Sequence, residues 1–275
     1  MLTPRLSVII PASNEADYIG ACLTALFASG AVEAECIVVA NGCRDATAAV
    51  AQGYADQATA AGWALTVLDL PQGGKPNALN AGDRIARGAL RAYLDADVVV
   101  SSPLMAQLIA ALAGDAPLYA TGTAEIPRAQ SWVTRAYARF WQRLPFAQSN
   151  APGYGLFAVN AAGRARWGDF PAIISDDTFV RLQFEPHERV QVPATYAWPM
   201  IEGFSALTRV RRRQDAGVAE IDRLYPGLLA REAKARLSKA DLLALALRDP
   251  LGFATYAAVS LAVRLRRGQG WTRGR

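Results

Sequence analysis

The sequence predicts an α/β fold: a mostly parallel, Rossmann-like central sheet with flanking helices, followed by a helical, basic C-terminal appendage. Three observations predict it. The first 130 residues alternate short β-branched runs with longer Ala-rich segments, the pattern of a parallel sheet with crossover helices. At 275 residues and 52% hydrophobic content the chain is ample for a continuous core. The last seventy residues are rich in Ala, Leu and Arg and read as helices.

The elements follow in order. LSVIIP, ECIVVA, ALTVLDL and LRAYLDADVVV read as four successive strands. After the first, Ile19, Cys22, Leu23, Leu26 and Phe27 recur at helical spacing, with Asp17 as the expected N-terminal residue. Asp45 and Thr47 start the second helix, and the helix after ALTVLDL begins near Pro76, a residue tolerated in a first turn. SWVTRAYARFWQRL predicts an amphipathic helix with Trp132, Tyr137, Phe140 and Trp141 on its aromatic face. SDDTFVRLQF starts a helix with Ser175 as cap, and ERVQVP and TYAW read as later strands. The expected division is a main domain over residues 1–215, split into halves 1–100 and 101–215, and a basic helical region over 216–275.

Charge and side-chain chemistry narrow the function. Residues 1–200 carry 14 Lys+Arg against 17 Asp+Glu, whereas residues 201–275 carry 15 against 7, so the basic character belongs to the tail. No zinc knuckle or RNP-like motif accompanies it, so no nucleic-acid partner is expected and an anionic membrane surface ranks first. Fourteen uncharged residues, PLGFATYAAVSLAV, precede Arg264, Arg266, Arg267, Arg273 and Arg275. They fall short of the roughly 18 to 20 needed to span a bilayer, which suggests a helix lying in the interface. The sequence enters directly into a strand-like run and predicts no export signal; the expectation is a cytoplasmic chain with peripheral contact at the inner membrane face. Cys22, Cys36 and Cys43 form no CxxC pair and His187 stands alone, which predicts buried thiols and no His-rich zinc site.

The sharpest signal is YLDADVVV. If the strand continues through it, Asp95 and Asp97 point to one face and Ala96 to the other. In an open α/β sheet such a pair sits where ligands bind, beyond the carboxyl ends of the strands. Hard carboxylate oxygens suit Mg²⁺ or Mn²⁺, which complete their shell with substrate phosphates and water. Just before it, QGGKPNALNAG holds Lys75, the only lysine in the first 200 residues, suited to a diphosphate. Neither a Walker loop nor GxGxxG is present. Asn41 could read a base edge or ribose hydroxyl with its amide, as could the backbone around Pro11 and Ala12.

Taken together, VIIPASNEADYI, VVANGCRDAT, GGKPNALNAG and YLDADVVV, in that order, resemble the nucleotide-binding half of family 2 glycosyltransferases with the GT-A fold. GYGLFAVNAAGRARWGDFP and ISDDTFVRLQF continue the resemblance, over about residues 6–215. It implies an inverting transfer of a single sugar from a nucleotide-diphosphate sugar, a UDP-sugar first among them, to a saccharide acceptor in cell-envelope polysaccharide chemistry, and the short basic apolar tail points to a lipid-linked acceptor as the alternative. It implies nucleoside contacts at Pro11, Ala12, Glu15 and Asn41, with Lys75 near base, ribose or diphosphate. Asp95 and Asp97 become the metal and donor aspartates, Asp176 a donor contact and Asp177 the general base. Gly155 and Asn160 shape the donor and acceptor pocket, and Arg212, in TRVRRRQDAG, covers the diphosphate. The departures are the lack of the aspartate common at Ala40 or Asn41, Asp176 in place of glutamate, and no QxxRW, which argues against a processive synthase. Two rivals remain: a haloacid-dehalogenase-type phosphatase using DADVV, with its first aspartate as nucleophile, and a non-catalytic nucleotide-sugar-binding protein.

Overall fold

The computed structural model describes residues 4–29, 33–147, 151–233 and 237–265. The chain falls into two compact units, one of Met1–Glu125, Gly153–Ala172 and Asp176–Trp198, the other of Ile126–Pro152, Ile173–Ser175 and Pro199–Arg275.

The first unit is built on an eight-stranded mixed sheet. Its strands are β1 (Leu6–Ala12), β2 (Ala34–Asn41), β3 (Ala64–Leu70), β4 (Leu90–Leu94), β5 (Val99–Val100), β6 (Tyr119–Glu125), β7 (Leu156–Val159) and β8 (Arg189–Ala197). They are ordered β3-β2-β1-β4-β7-β6-β8-β5. The first four are mutually parallel, as the alternating sequence predicts, and β7 then runs antiparallel to both β4 and β6. Every residue of β2 is buried, because neighbouring strands and covering helices close both its edges and faces; edge strand β3 alternates between exposed and half-buried. The Ile19–Phe27 helix buries the five predicted apolar residues, although its first turn starts at Tyr18 and not at Asp17.

Two strand predictions are corrected. LRAYLDADVVV is not one strand: β4 ends at Leu94, and the Val98 N–H donates to the Asp95 carbonyl (3.1 Å), closing a turn before the two-residue β5. Asp95 and Asp97 therefore sit in a turn beyond the strand, and strand alternation does not set their direction. ERVQVP and TYAW fuse into β8. Its register against β6 slips between Gln191 and Thr195, where Pro193 has no N–H to give to the ladder; the Ala194 N–H is satisfied instead by Gln107 Oε1 (2.8 Å).

The second unit is helical. Trp132–Trp141 forms the expected amphipathic helix, with Tyr137 and Phe140 buried but Trp132 59% exposed. The Phe204–Leu224 helix runs unbroken through residue 215, and Lys239–Arg248 and Pro250–Leu265 follow. Val259 packs in a cluster with Tyr137 and Leu207. Asp249, buried between the last two helices, takes a bidentate pair from Arg139 (2.6 and 2.7 Å) and a weaker one from Arg143 (3.3 Å). No described helix is long and apolar enough to cross a membrane. Arg266, Arg267, Arg273 and Arg275 lie outside the described residues.

Candidate active site

Strands β1, β2 and β4 are parallel, so their carboxyl ends share one edge of the sheet, and β7 begins at that edge because it is antiparallel to β4. A cleft opens there, lined by Pro11 from β1, Lys75 and Leu79 from the Lys75–Ile85 helix, Tyr93 and Leu94 from β4, and Asp95. Gly153, Gly155, Phe157, Asp176 and Asp177 complete it. Six of the residues singled out in the sequence thus meet in one place: Pro11, Lys75, Asp95, Gly155, Asp176 and Asp177.

Lys75 is the hub. Its Nζ lies 2.9 Å from Asp95 Oδ1 and 3.2 Å from Asp176 Oδ2, joining two aspartates from distant segments of the chain. Burial works against its charge, but the carboxylates of Asp176, Asp95 and Asp177 outweigh that and hold the ammonium above its ordinary range. Burial pushes the Asp176 carboxyl the other way, above its usual range, with Lys75 opposing. Asp177 is half-buried, and its Oδ1 accepts from the Thr178 N–H (2.6 Å), which orients the carboxylate. Three carboxylates around one ammonium leave the cleft with an excess of negative charge.

Local sequence explains this placement. Gly74, at φ +128°, precedes Lys75 in a conformation open to glycine, and Pro76 falls in the first turn of the helix. Gly155, at φ +67°, has no room for a Cβ, which would lie 2.8 Å from Val98 and from Trp198. Its carbonyl accepts from the Asp95 N–H (2.8 Å), so the GYG stretch fixes the backbone of the first aspartate.

Other predicted residues serve differently. Asn41 is buried, and its Nδ2 donates to the carbonyls of Ala12 (2.8 Å) and Val39 (3.3 Å) while its Oδ1 accepts from the Gly74 N–H (2.9 Å). The amide read from the sequence as a base reader is turned here to the protein's own backbone, where it braces the ends of β1 and β2 and the glycine loop before Lys75. Ala12 is buried and Glu15 half-buried beside the cleft's Pro11, in a loop laced to the one after β2. Three residues that sequence reasoning left unassigned or read only as helix starts do the lacing. Asn14 Oδ1 accepts from the Arg44 N–H (2.8 Å), Thr47 Oγ1 from the Glu15 N–H (2.8 Å) and Asp45 Oδ2 from the Ala16 N–H (3.1 Å). Asn14 adopts φ +60°, a conformation asparagine tolerates better than most residues; the NE pair after a strand was the available signal.

Asn160 is not part of the cleft lining. It follows the far end of β7, where Val159 pairs with Arg91 at the start of β4, while the cleft lies at the Leu94–Leu156 end. It is buried, accepts from the Gly163 and Leu118 N–H groups (2.9 and 3.1 Å) and donates to Gly114 and Ala116 carbonyls, so it caps a helix away from the cleft. Arg212 belongs to the second unit and is half-buried on the Phe204–Leu224 helix.

Asp97 lies in the turn after Asp95, half-buried, and is not part of the cleft lining. Among the described residues no group of three or more His, Cys, Asp or Glu side chains forms a metal cage. The donor set present, two turn carboxylates, fits an ion such as Mg²⁺ that takes most of its ligands from a substrate's phosphates and water.

Comparison with known proteins places this geometry. The family model described as "Glycosyl transferase family 2" matches residues 7–167, more than half the chain. The chain belongs to glycosyl transferase family 2. The phosphatase reading does not fit this family, and Asp95 follows the fourth strand and is ion-paired to Lys75. The uncharacterized glycosyltransferase EpsJ of Bacillus subtilis (strain 168) is 29% identical over 107 residues, which is 39% of this chain and 30% of that protein.

Among solved structures, the mannosyltransferase PcManGT from Pyrobaculum calidifontis, in complex with GDP-Man and Mn²⁺, is 21% identical at TM-score 0.61. The match covers 98% of this chain and 77% of that one. Glucosyl-3-phosphoglycerate synthase from Mycobacterium tuberculosis, with Mn²⁺, UDP and glucosyl-3-phosphoglycerate, is 20% identical at TM-score 0.53, covering 85% and 81%. Likeness at this level establishes the GT-A, Rossmann-like fold for this family 2 chain.

Proposed function

We propose that this glycosyltransferase moves a single sugar, with inversion at the anomeric carbon, from a nucleotide-diphosphate sugar to an acceptor hydroxyl. The observation that carries the reading is the Asp95–Lys75–Asp176 ion-pair chain, with Asp177 in the same cleft, at the carboxyl edge of a family 2 sheet. An acidic cleft around one ammonium suits a donor that arrives as a diphosphate with a divalent cation. A UDP-sugar is the first candidate, and the acceptor is a saccharide or a lipid-linked sugar. The relatives' complexes with GDP-Man and with UDP support the class of donor.

Asp97 and Asp95 are the residues that would hold Mg²⁺ or Mn²⁺, and the ion, when bound, supplies positive charge against the departing diphosphate. The remaining roles belong to the chain. The end of β1 at Pro11 and Ala12 and the loop that follows to Glu15, laced by Asn14, Asp45 and Thr47, offer a rigid backbone edge to the nucleoside. Lys75, held charged among carboxylates, turns to the diphosphate oxygens when a donor is bound. Asp177 accepts the proton of the acceptor hydroxyl at a carboxylate oxygen as the hydroxyl oxygen attacks the anomeric carbon. Attack from the face opposite the leaving group inverts that carbon. A positioned base of this kind contributes about 10²- to 10⁴-fold in rate.

Asp177→Asn keeps the size of the side chain and removes its basicity. It is expected to lower sugar transfer by about 10²-fold or more while donor affinity, measured by calorimetry, stays within a factor of about three. Retained turnover with lost donor binding would overturn the assignment. Peripheral contact with an anionic membrane through the Pro250–Leu265 helix belongs to the same proposal, because that helix turns apolar residues outward ahead of Arg264 and the sequence after it is arginine-rich.

A further inference from the structure

A separate feature of the second unit lies outside that reading. A groove of about 400 Å³ is lined by Arg128, Arg135, Arg139 and Arg143, with Pro127 and Ala138 among its apolar walls. Arg135, Arg139 and Arg143 recur every four residues along and just beyond the Trp132–Trp141 helix, which stacks three guanidinium groups on one face. Like charges at that spacing repel, so their alignment needs compensation or a ligand. Compensation is partial. Asp249 anchors Arg139 and Arg143, while Arg135 donates to the backbone carbonyls of Ala129 (3.0 Å) and Gln130 (2.6 Å). Glu202 feels the charge of Arg135, but its oxygens accept from the Gln130 and Ser131 N–H groups (2.8 and 2.9 Å). Arg128, exposed on the preceding loop, has no carboxylate partner among the described residues.

We propose that this groove is a binding site for a phosphate group. Guanidinium forks match phosphate oxygens bidentately, and 400 Å³ lies in the range of sites that hold a phosphorylated small molecule or lipid headgroup. Asp249 presets the two inner arginines, and Arg128 and Arg135 bring the charge that the protein leaves uncompensated. Its lining belongs to the second unit and shares no residue with that of the Lys75 cleft.

The test uses the full chain in EDTA, so that metal-assisted binding to the cleft is suppressed. Two probes are titrated: inorganic phosphate by calorimetry, and vesicles of phosphatidylglycerol in phosphatidylcholine, against pure phosphatidylcholine, by sedimentation. At least one is expected to bind, and Arg128→Glu and Arg135→Glu are each expected to weaken it about tenfold, the loss of one charge-assisted hydrogen-bonding group. Lys75→Ala is expected to leave it unchanged. Arg128→Glu alters only an exposed side chain, so it decides the matter if Arg135→Glu fails to fold. Phosphate binding lost in Arg128→Glu assigns a soluble phosphorylated ligand; binding to phosphatidylglycerol vesicles alone, lost in the same variant, assigns a lipid headgroup. Binding of neither probe, equal binding by Arg128→Glu, or loss in Lys75→Ala overturns the proposal.

Discussion

Asn41 and Lys75 show how differently two polar residues of one site can act. Lys75 faces carboxylates in the cleft, whereas Asn41 directs its whole amide to the protein's own backbone, joining Ala12, Val39 and Gly74. Asn41→Ala would leave the buried Ala12 carbonyl and Gly74 N–H without that partner, at a cost of about 2 to 3 kcal/mol. Urea unfolding should show that loss as a lower midpoint at unchanged slope. Unchanged stability with weakened donor binding would instead return Asn41 to the role of base reader. The sequence made Lys75 conspicuous because it is the only lysine in the first 200 residues. It could not separate Asn41 or Asn160 from ligand-facing residues, because an amide's partners are fixed by which loops approach it and not by its neighbours in the chain.

At the scale of the element, strands and helices with strong periodicity were legible and their ends were not. β1 to β4 appear where β-branched runs stand, yet β4 stops at Leu94 although Val98–Val100 continue the apolar run. The Asp95–Val98 turn is closed by a backbone hydrogen bond and by Gly155 from a segment sixty residues away, and neither leaves a local signal. The Pro250–Leu265 helix is a clearer case. Gly252, Thr255, Val259 and Val263 face inward, while Leu251, Ala254, Ala258 and Leu261 face outward, so its exposed side is apolar too until Arg264 in the last turn. Leu251 and Leu261 are 54% and 57% exposed, and Leu243 and Leu247 of the preceding helix 61% and 73%. A helix apolar on its outer side beside an arginine-rich sequence fits the interface of an anionic bilayer. Leu251→Ser with Leu261→Ser should release the chain from phosphatidylglycerol vesicles and leave its thermal transition within a few degrees of wild type. Equal retention of the double variant would contradict membrane contact through this helix.

For the whole molecule, the order of the motifs carried more than any one of them. VIIPASNEADYI, VVANGCRDAT, GGKPNALNAG and YLDADVVV all end at one edge of the sheet because four parallel strands deliver them there. ISDDTFVRLQF joins them through the Lys75–Asp176 pair, a contact between distant segments that only the fold reveals. The proposed role of this acidic edge is to bind a nucleotide-diphosphate sugar through a divalent cation. Calorimetry of donor binding, with Mn²⁺ and with EDTA, on the wild type and on Asp97→Ala tests it most directly. The wild type is expected to bind the donor only with Mn²⁺ and Asp97→Ala to lose that binding; equal affinity in both proteins, indifferent to the metal, would rule the proposed role out.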